Sequence, residues 1–206
     1  MILPRCVRER GFAFTHETVR DWEARFAPLI GDQLRRKRRG QVSTSWHVDE
    51  TYVKVHGSWC YLYRAIDHDG NLVDSMLSAK RNMDAAQRFF KQALETVGHA
   101  PERVTTDGHD SYPRAIRETL GGDVLHRCNH YLNNLIEQDH RGIKQRYYPM
   151  RGFGSFLSAA RFCRVFDEVR QFFRFRTTTN QAVSLAHQRE RFLQRLDALQ
   201  ALVVTA

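Results

Sequence analysis

The clearest alternation of apolar and polar positions begins at Trp46, where the residues WHVDETYVKV predict a β-strand. Its valines and tyrosine are the β-branched and aromatic residues that strands favour. Asp49 lies in the middle of this strand, and a buried ionised carboxylate costs free energy unless it is paired or binds a cation. Because successive strand residues point to opposite faces, Asp49 and Glu50 face different sides. We predict that Asp49 has the chemical role and that Glu50 is structural.

The hydrophobic pattern that follows predicts a three-stranded antiparallel meander and then helices alternating with strands. The predicted strands are 46–55, 58–67, 71–78, 103–106 and 124–126, and the predicted helices are 82–97, 111–120, 133–146, 155–175 and 182–202. His56 and Gly57 supply the tight turn of the first hairpin. This order predicts an α/β fold of the ribonuclease-H-like type, the integrase catalytic core, with a mixed sheet flanked by helices.

The residues before this domain predict a small helical unit. Thr15 is typical of a helix N-cap, and an apolar stripe at three- and four-residue steps follows until Pro28 ends the helix. With the glycine turn before it, the segment 15–26 fits the recognition helix of a partial helix-turn-helix. An ordinary αα-hairpin fits the same pattern equally well.

A basic run, LRRKRRG at 34–40, predicts the boundary between the two parts. The chain then divides into a partial helix-turn-helix unit, a basic linker, a catalytic domain and a C-terminal helical tail. Their predicted ranges are 1–30, 31–44, 45–176 and 177–206.

The composition indicates a polyanionic partner. Lys and Arg number 32 against 23 Asp and Glu, a net charge of +9, and their clustering favours nucleic acid. The four cysteines form no C-x-x-C pair, which argues against a zinc site and fits reduced thiols in a cytosol. We expect neither a signal peptide nor a membrane span, and hence a cytoplasmic protein.

Two further carboxylates lie where the predicted fold brings ligands together. Asp107 ends the fourth strand, at the edge where open sheets place their ligands, and Glu137 lies on the helix that begins near residue 133. Three carboxylates from separate elements suit Mg²⁺, which prefers oxygen ligands. Two such ions, roughly 3.5–4 Å apart, support phosphoryl transfer.

The sequence motifs around these acids resemble those of a known family. The ordered series is WHVDETYVKV, RNMDAAQRFF, TTDGHDSYPRAI, YLNNLIEQDHRGIKQR and MRGFGSF, preceded by ERGFAFTHETVRDW. It resembles the DDE transposases of bacterial insertion sequences, and among them the insertion-sequence-six family. The resemblance implies that Asp49, Asp107 and Glu137 are the catalytic and metal-binding residues. The family often has Lys after the second Asp, where this chain has Gly108.

The resemblance also implies a function and partners. We expect Mg²⁺-dependent cleavage of DNA ends and strand transfer, with two Mg²⁺ ions for which Mn²⁺ can substitute. The expected partner is double-stranded DNA, as terminal inverted repeats and as target. A homodimer, associated with the bacterial nucleoid, is expected as well.

The residues predicted to contact DNA come from two places. Glu137, Arg141 and Lys144 are spaced by four and three residues, so they share one helix face, and Lys144 is the basic residue that the family carries seven positions after its Glu. The N-terminal unit and the basic run supply the others. The full predicted set is Arg141, Lys144, His140, Arg151, Thr15, Thr18, Arg20, Arg35, Arg36, Lys37 and Arg38.

Three other interpretations stay open at this point. A truncated transposase without catalysis would act as a DNA-binding regulator. A nuclease of the same fold would use the same carboxylates, although it would not require the N-terminal unit and basic run. A basic α/β domain with solvated acids would bind no metal.

Overall fold

The computed structural model describes residues 11, 14–129, 133–175 and 183–204. Within this part of the chain, five strands form one mixed sheet in the order β3-β2-β1-β4-β5. The strands are β1 (Ser45–Val55), β2 (Ser58–Asp67), β3 (Leu72–Ser78), β4 (Arg103–Thr106) and β5 (Leu125–Cys128). β1 pairs antiparallel with β2 and parallel with β4. The predicted meander is confirmed.

The helices described in the structure are α1 (His16–Lys37), α2 (Met83–Val97), α3 (Ser111–Thr119), α4 (Asn134–Tyr147), α5 (Phe156–Phe173) and α6 (Leu185–Val204). They agree with the predicted helices to within a few residues, except for α1. Among the described residues no helix combines the length and the apolar character needed to cross a bilayer.

The two faces of the sheet bury different sets of residues of β1. Trp46 and Val48 belong to a hydrophobic cluster with Phe89 and Phe90 of α2. Farther along β1, Val53 and Val55 belong to a second cluster, which includes Ile143 of α4 and Cys163 of α5. Strict alternation along the strand therefore puts the odd-numbered residues, Asp49 among them, on the side of α4 and α5.

Capping residues set several helix starts. The Thr15 hydroxyl accepts a hydrogen bond from the Thr18 amide at 3.2 Å, as predicted. Asp110 precedes α3, and its side chain makes no capping hydrogen bond. Asn133 also makes none at the start of α4. Its amide instead donates to the carbonyl oxygen of Val48 at 3.3 Å, which joins α4 to β1 beside Asp49.

α1 differs most from the prediction. It runs through Pro28 to Lys37 as one helix of 22 residues, so residues 31–37 are helical and not a linker. The helix packs closely on α5, where a Cβ added at Gly31 would lie 3.1 Å from Val165. This packing outweighs the backbone hydrogen bond that proline removes. The turn predicted before Thr15 falls on residues of which only 11 and 14 are described.

Two arginines at the end of α1 are enclosed by the protein. Arg35 donates to the Asp74 carboxylate at 2.5 Å and to the Thr96 hydroxyl. Arg38, which is 8% exposed, donates to Glu168 at 2.6 Å and to two backbone carbonyls of β3. Because these contacts occupy the guanidinium groups inside the protein, Arg35 and Arg38 leave the predicted DNA-contacting set. Their role is to fix α1 to the sheet and to α5.

Candidate catalytic site

Asp49, Glu50 and Asp107 form a compact acidic group. One carboxylate oxygen from each lies within 4.8 Å of the others. Parallel pairing of β1 with β4 at His47 and Thr105 produces this convergence, because it brings the carboxyl end of β4 beside the middle of β1. The predicted meeting of Asp49 and Asp107 is therefore what the fold provides.

The turn after β4 holds Asp107 in place. The backbone amide of His109 donates to one oxygen of Asp107 at 3.0 Å. Between them Gly108 has a φ of 91°, in the left-handed region that favours glycine. A lysine here would strain the backbone, which gives a physical reason for the glycine in this chain.

Burial and the negative charge of the neighbouring carboxylates change the pKa of Asp49. Burial, together with the charges of Glu50, Asp107 and Glu137, raises the pKa of Asp49 to about 7. Carboxylates this close repel one another unless a cation or a proton intervenes. The donor set consists of oxygen atoms, the type of ligand that Mg²⁺ prefers. The site therefore fits a divalent metal ion.

Arg81 offsets part of this charge, and sequence reasoning missed it. Its guanidinium donates to both oxygens of Glu50 at 3.1 Å and to Asp107 at 3.0 Å. Burial lowers its pKa, but these carboxylates outweigh burial and raise it above the ordinary value. Glu50 is thus bound to a cation of the protein. The expectation that strand alternation keeps it apart from Asp49 is wrong for its carboxylate, which reaches the same acidic group. Arg81 is the first residue of the motif RNMDAAQRFF, and this position was the one feature of the sequence that could have indicated its role at the site.

Glu137 lies at the rim of the same site. It is exposed in the first turn of α4 and is not part of the compact acidic group. A cavity of about 580 Å³ connects it to Asp49, and Arg141 and Lys144 also line that cavity. The predicted shared face of Glu137, Arg141 and Lys144 is therefore present and turned toward Asp49.

His140 is placed differently from the prediction that it contacts DNA. It is 3% exposed, and its Nδ1 atom lies 3.7 Å from the Asp49 carboxylate. Burial and the nearby cations Arg64 and Lys144 lower its pKa to about 3, so the imidazole is neutral. It lies beside the Asp49 carboxylate, at a distance longer than a hydrogen bond.

Below the site, Arg64 joins three elements. Its guanidinium donates to Asp167 of α5 at 2.9 and 3.0 Å and to Asp139 of α4 at 2.7 Å. Arg170 also pairs with Asp139, at 2.8 Å. Asp139 is thus committed to a structural cluster below the site.

The remaining residues of the predicted DNA-contacting set are spread over the surface. Arg141 and Arg151 are exposed, Arg141 at the carboxylate cavity, and Arg151 has a left-handed φ of 60°. Five others lie on α1 or cap it, and of these Arg20, Arg36 and Lys37 are exposed. Thr15 and Thr18 are engaged with each other at the start of that helix, through hydroxyls 2.9 Å apart.

Several known proteins have a similar sequence or a similar fold. Residues 43–176 match a protein family described as a DDE domain. The transposase for insertion sequence-like element IS431mec from Staphylococcus aureus strain Mu50 is 40% identical over 144 residues, which are 68% of this chain and 63% of the relative. The Staphylococcus aureus transposase for IS257 in transposon Tn4003 is 39% identical with the same coverage. This chain thus spans less than two thirds of the length of these relatives.

A solved structure supports the fold. The HTLV-2 integrase catalytic core domain, determined in complex with magnesium, has a TM-score of 0.50 with this chain at 16% identity. The likeness covers 70% of this chain and 96% of that domain. The predicted ribonuclease-H-like fold class is confirmed.

Proposed function

Because this chain belongs to the DDE transposase family, we propose that it cleaves the ends of an insertion sequence and joins them to target DNA. One observation carries the proposal. The fold brings a carboxylate oxygen of Asp49 within 4.8 Å of one of Asp107, and Asp49 lines a cavity together with Glu137, Arg141 and Lys144. Carboxylates that bind metal ions, next to cations that hold the phosphate, are an arrangement that suits chemistry on a phosphodiester.

Asp49, Asp107 and Glu137 are the proposed ligands of two Mg²⁺ ions, for which Mn²⁺ substitutes. Ions bound there supply activation of the attacking oxygen and stabilisation of the leaving one. Glu137 is preferred over Glu50 as the third ligand because both Glu50 oxygens already accept from Arg81. Arg141 and Lys144 hold the DNA phosphates, and the neutral His140 lies beside Asp49.

The reaction has two steps with the same bond chemistry. In the first, a water oxygen forms a bond to the phosphorus at the element's end, the P–O3′ bond breaks, and a 3′-OH is released. In the second, that 3′ oxygen attacks a target phosphate, and a target 3′-OH leaves. No bond forms between protein and DNA at either step.

The partners belong to the same proposal. The substrate is double-stranded DNA, as terminal inverted repeats and target, and the net charge of +9 supports such a partner. A homodimer would hold two DNA ends together. The family's bacterial members support action at the nucleoid of a bacterial cell.

Asp49→Asn tests the function. We expect it to abolish Mg²⁺-dependent cleavage and joining of the repeats that flank its own element, while DNA binding persists. Asp110→Asn is the matched control. Asp110 lies close to Asp107 in the sequence, is exposed, and its side chain makes no capping hydrogen bond. Joining by Asp49→Asn at the wild-type rate would refute the proposal. A wild-type protein that binds the repeats without cutting them would favour the regulator instead.

A second pair of variants tests the choice of ligand. Glu137→Gln should remove joining at every metal concentration, whereas Glu50→Gln should retain measurable joining because Glu50 is bound to Arg81. Calorimetric titration with Mg²⁺ should show the same ranking. The reverse ranking would make Glu50 the third ligand.

A further inference from the structure

A second cavity, of about 440 Å³, adjoins the carboxylate cavity. It has two aromatic walls. Tyr52, Trp59 and Tyr61 of the β1–β2 hairpin form one, and Tyr147 and Tyr148 at the end of α4 form the other. We call this space the aromatic pocket.

Three of its rings are unusually open to solvent. Tyr52 is 51% exposed, Trp59 is 55% exposed and Tyr148 is 58% exposed. Tyr52 is held edge-on to Trp59, with ring centroids 6.2 Å apart, and Tyr148 is held edge-on to Tyr147, with centroids 4.8 Å apart. Large aromatic side chains grouped at the surface are typical of binding sites and not of a solvated face.

The aromatic pocket is continuous with the carboxylate cavity. Thr51, Tyr52 and Lys144 line both spaces. Tyr52 lies three residues along β1 from Asp49, a distance of about 10 Å at roughly 3.3 Å per residue. A DNA strand bound at the carboxylates would therefore be within reach of both aromatic walls.

Cations accompany the rings. Lys144 lines the pocket, and Lys54 Nζ lies 5.9 Å from the centre of the Trp59 ring. Positive side chains interleaved with exposed aromatic rings are the combination that binds single-stranded nucleic acid, since the rings stack on bases and the cations contact the backbone.

We propose that the aromatic pocket binds one unpaired nucleobase of the DNA strand whose phosphate lies at the carboxylates. This rests on the function proposed above. A base inside a duplex shows only its edges to a protein, so the base must leave the helical stack to meet two aromatic walls. Stacking in the pocket offsets the cost of unpairing and fixes the neighbouring phosphate at the site of reaction.

Variants that remove or retain a ring test the pocket. Trp59→Ala and Tyr148→Ala should each slow joining of a fully paired element end by about tenfold or more, given the usual strength of base–aromatic stacking. Trp59→Phe and Tyr148→Phe keep a ring and should stay within a few-fold of wild type. Both positions are more than half exposed, so the fold should persist, and circular dichroism checks that it does.

The substrate supplies a second, independent readout. An abasic position placed opposite the extruded base leaves that base already unpaired, so the defect of the alanine variants should shrink on such a duplex. In a parallel measurement, 5-iododeoxyuridine is scanned through the positions around the cleaved phosphate. Irradiation should cross-link one position to the peptide that carries Trp59 or to the one that carries Tyr148.

The results that test the aromatic pocket are distinct from those that test the proposed function. Alanine variants that match wild type, or that lose joining equally on paired and abasic duplexes, overturn the pocket while Asp49-dependent joining stands. Loss of a dimer in these variants also overturns it, because a second copy of the chain would then occupy the pocket. A wild-type protein that cross-links at Trp59 without cutting DNA supports the pocket and refutes the proposed function.

Discussion

Replacing Arg64 by Met should destabilise the protein severely. The guanidinium lies 1% exposed beneath the catalytic site and joins β2 to α4 and α5. Met keeps much of the side-chain length but donates no hydrogen bond. The change therefore removes the charge without opening a large cavity.

The magnitude follows from the hydrogen bonds that Arg64 donates. Among the described residues, the Asp167 carboxylate accepts two hydrogen bonds, and Arg64 donates both of them. In the variant, Asp139 has one partner fewer and keeps Arg170 at 2.8 Å. Leaving a buried charge without its partner costs about 3–5 kcal/mol. The free energy of unfolding of a domain is only about 5–15 kcal/mol in total, so this is a large share of it.

Urea unfolding followed by circular dichroism measures the effect. With a slope of about 2.5 kcal/mol per molar, the midpoint should fall by about 1–2 M. Arg170→Met is the matched control, because Arg170 is 32% exposed and pairs with the same Asp139. Such a partly exposed pair contributes about 1 kcal/mol or less.

Two results bear on the reasoning behind this prediction. Adding Asp167→Asn to Arg64→Met should recover part of the stability, since it removes the unpaired charge. An Arg64→Met variant whose midpoint matches that of Arg170→Met would refute the argument that burial of this arginine determines its importance.

Three further predictions concern other parts of the molecule. Gly152→Ala should lower the free energy of unfolding by about 1–3 kcal/mol, because Gly152 has a φ of 110° and an added Cβ would lie 3.0 Å from a backbone carbonyl oxygen. Gly154→Ala is the control, because a Cβ added at Gly154 would meet open space. Burial raises the pKa of Asp139, but the neighbouring guanidinium groups outweigh burial and hold that pKa below its usual value. Its stabilisation is therefore present above about pH 4 and is lost as the pH falls through the lowered pKa, so Asp139→Asn should reduce the acid dependence of the urea midpoint. Replacing the exposed Arg36 and Lys37 by Ala should weaken DNA binding and reduce the slope of log K against log salt by about one for each phosphate that the variant no longer neutralises, and an unchanged slope would show that neither residue binds DNA.

Much of the local structure was predictable because it depends on neighbouring residues. Strands β2 and β4 begin and end at the predicted residues, Ser58–Asp67 and Arg103–Thr106. Alternation along β1 puts Asp49 on the side of α4, where His140 lies 3.7 Å from it, but it did not keep the Glu50 carboxylate out of the acidic group. Asn82 and Gly98 bound α2 with a side-chain cap and a left-handed turn, both of which are local devices.

The arginines show where such reasoning fails. Arg38 stood in a run of basic residues, and exposure of the whole run was the natural expectation. Its partner Glu168 lies 130 positions away, Arg64 meets Asp167 at a separation of 103, and Arg81 meets Glu50 at 31. No periodicity in the chain distinguishes a cation that pairs inside the protein from one left for DNA.

For this protein, the sequence by itself determined the order of strands and helices along the chain, since it follows from patterns of a few residues. The tertiary structure alone decided which charges meet. It brought Glu50 into the acidic group and bound it to Arg81, left Glu137 open at the rim, and enclosed His140. The reason is physical: free energy of burial and ion pairing depends on the distance between groups in space, which chain separation does not encode.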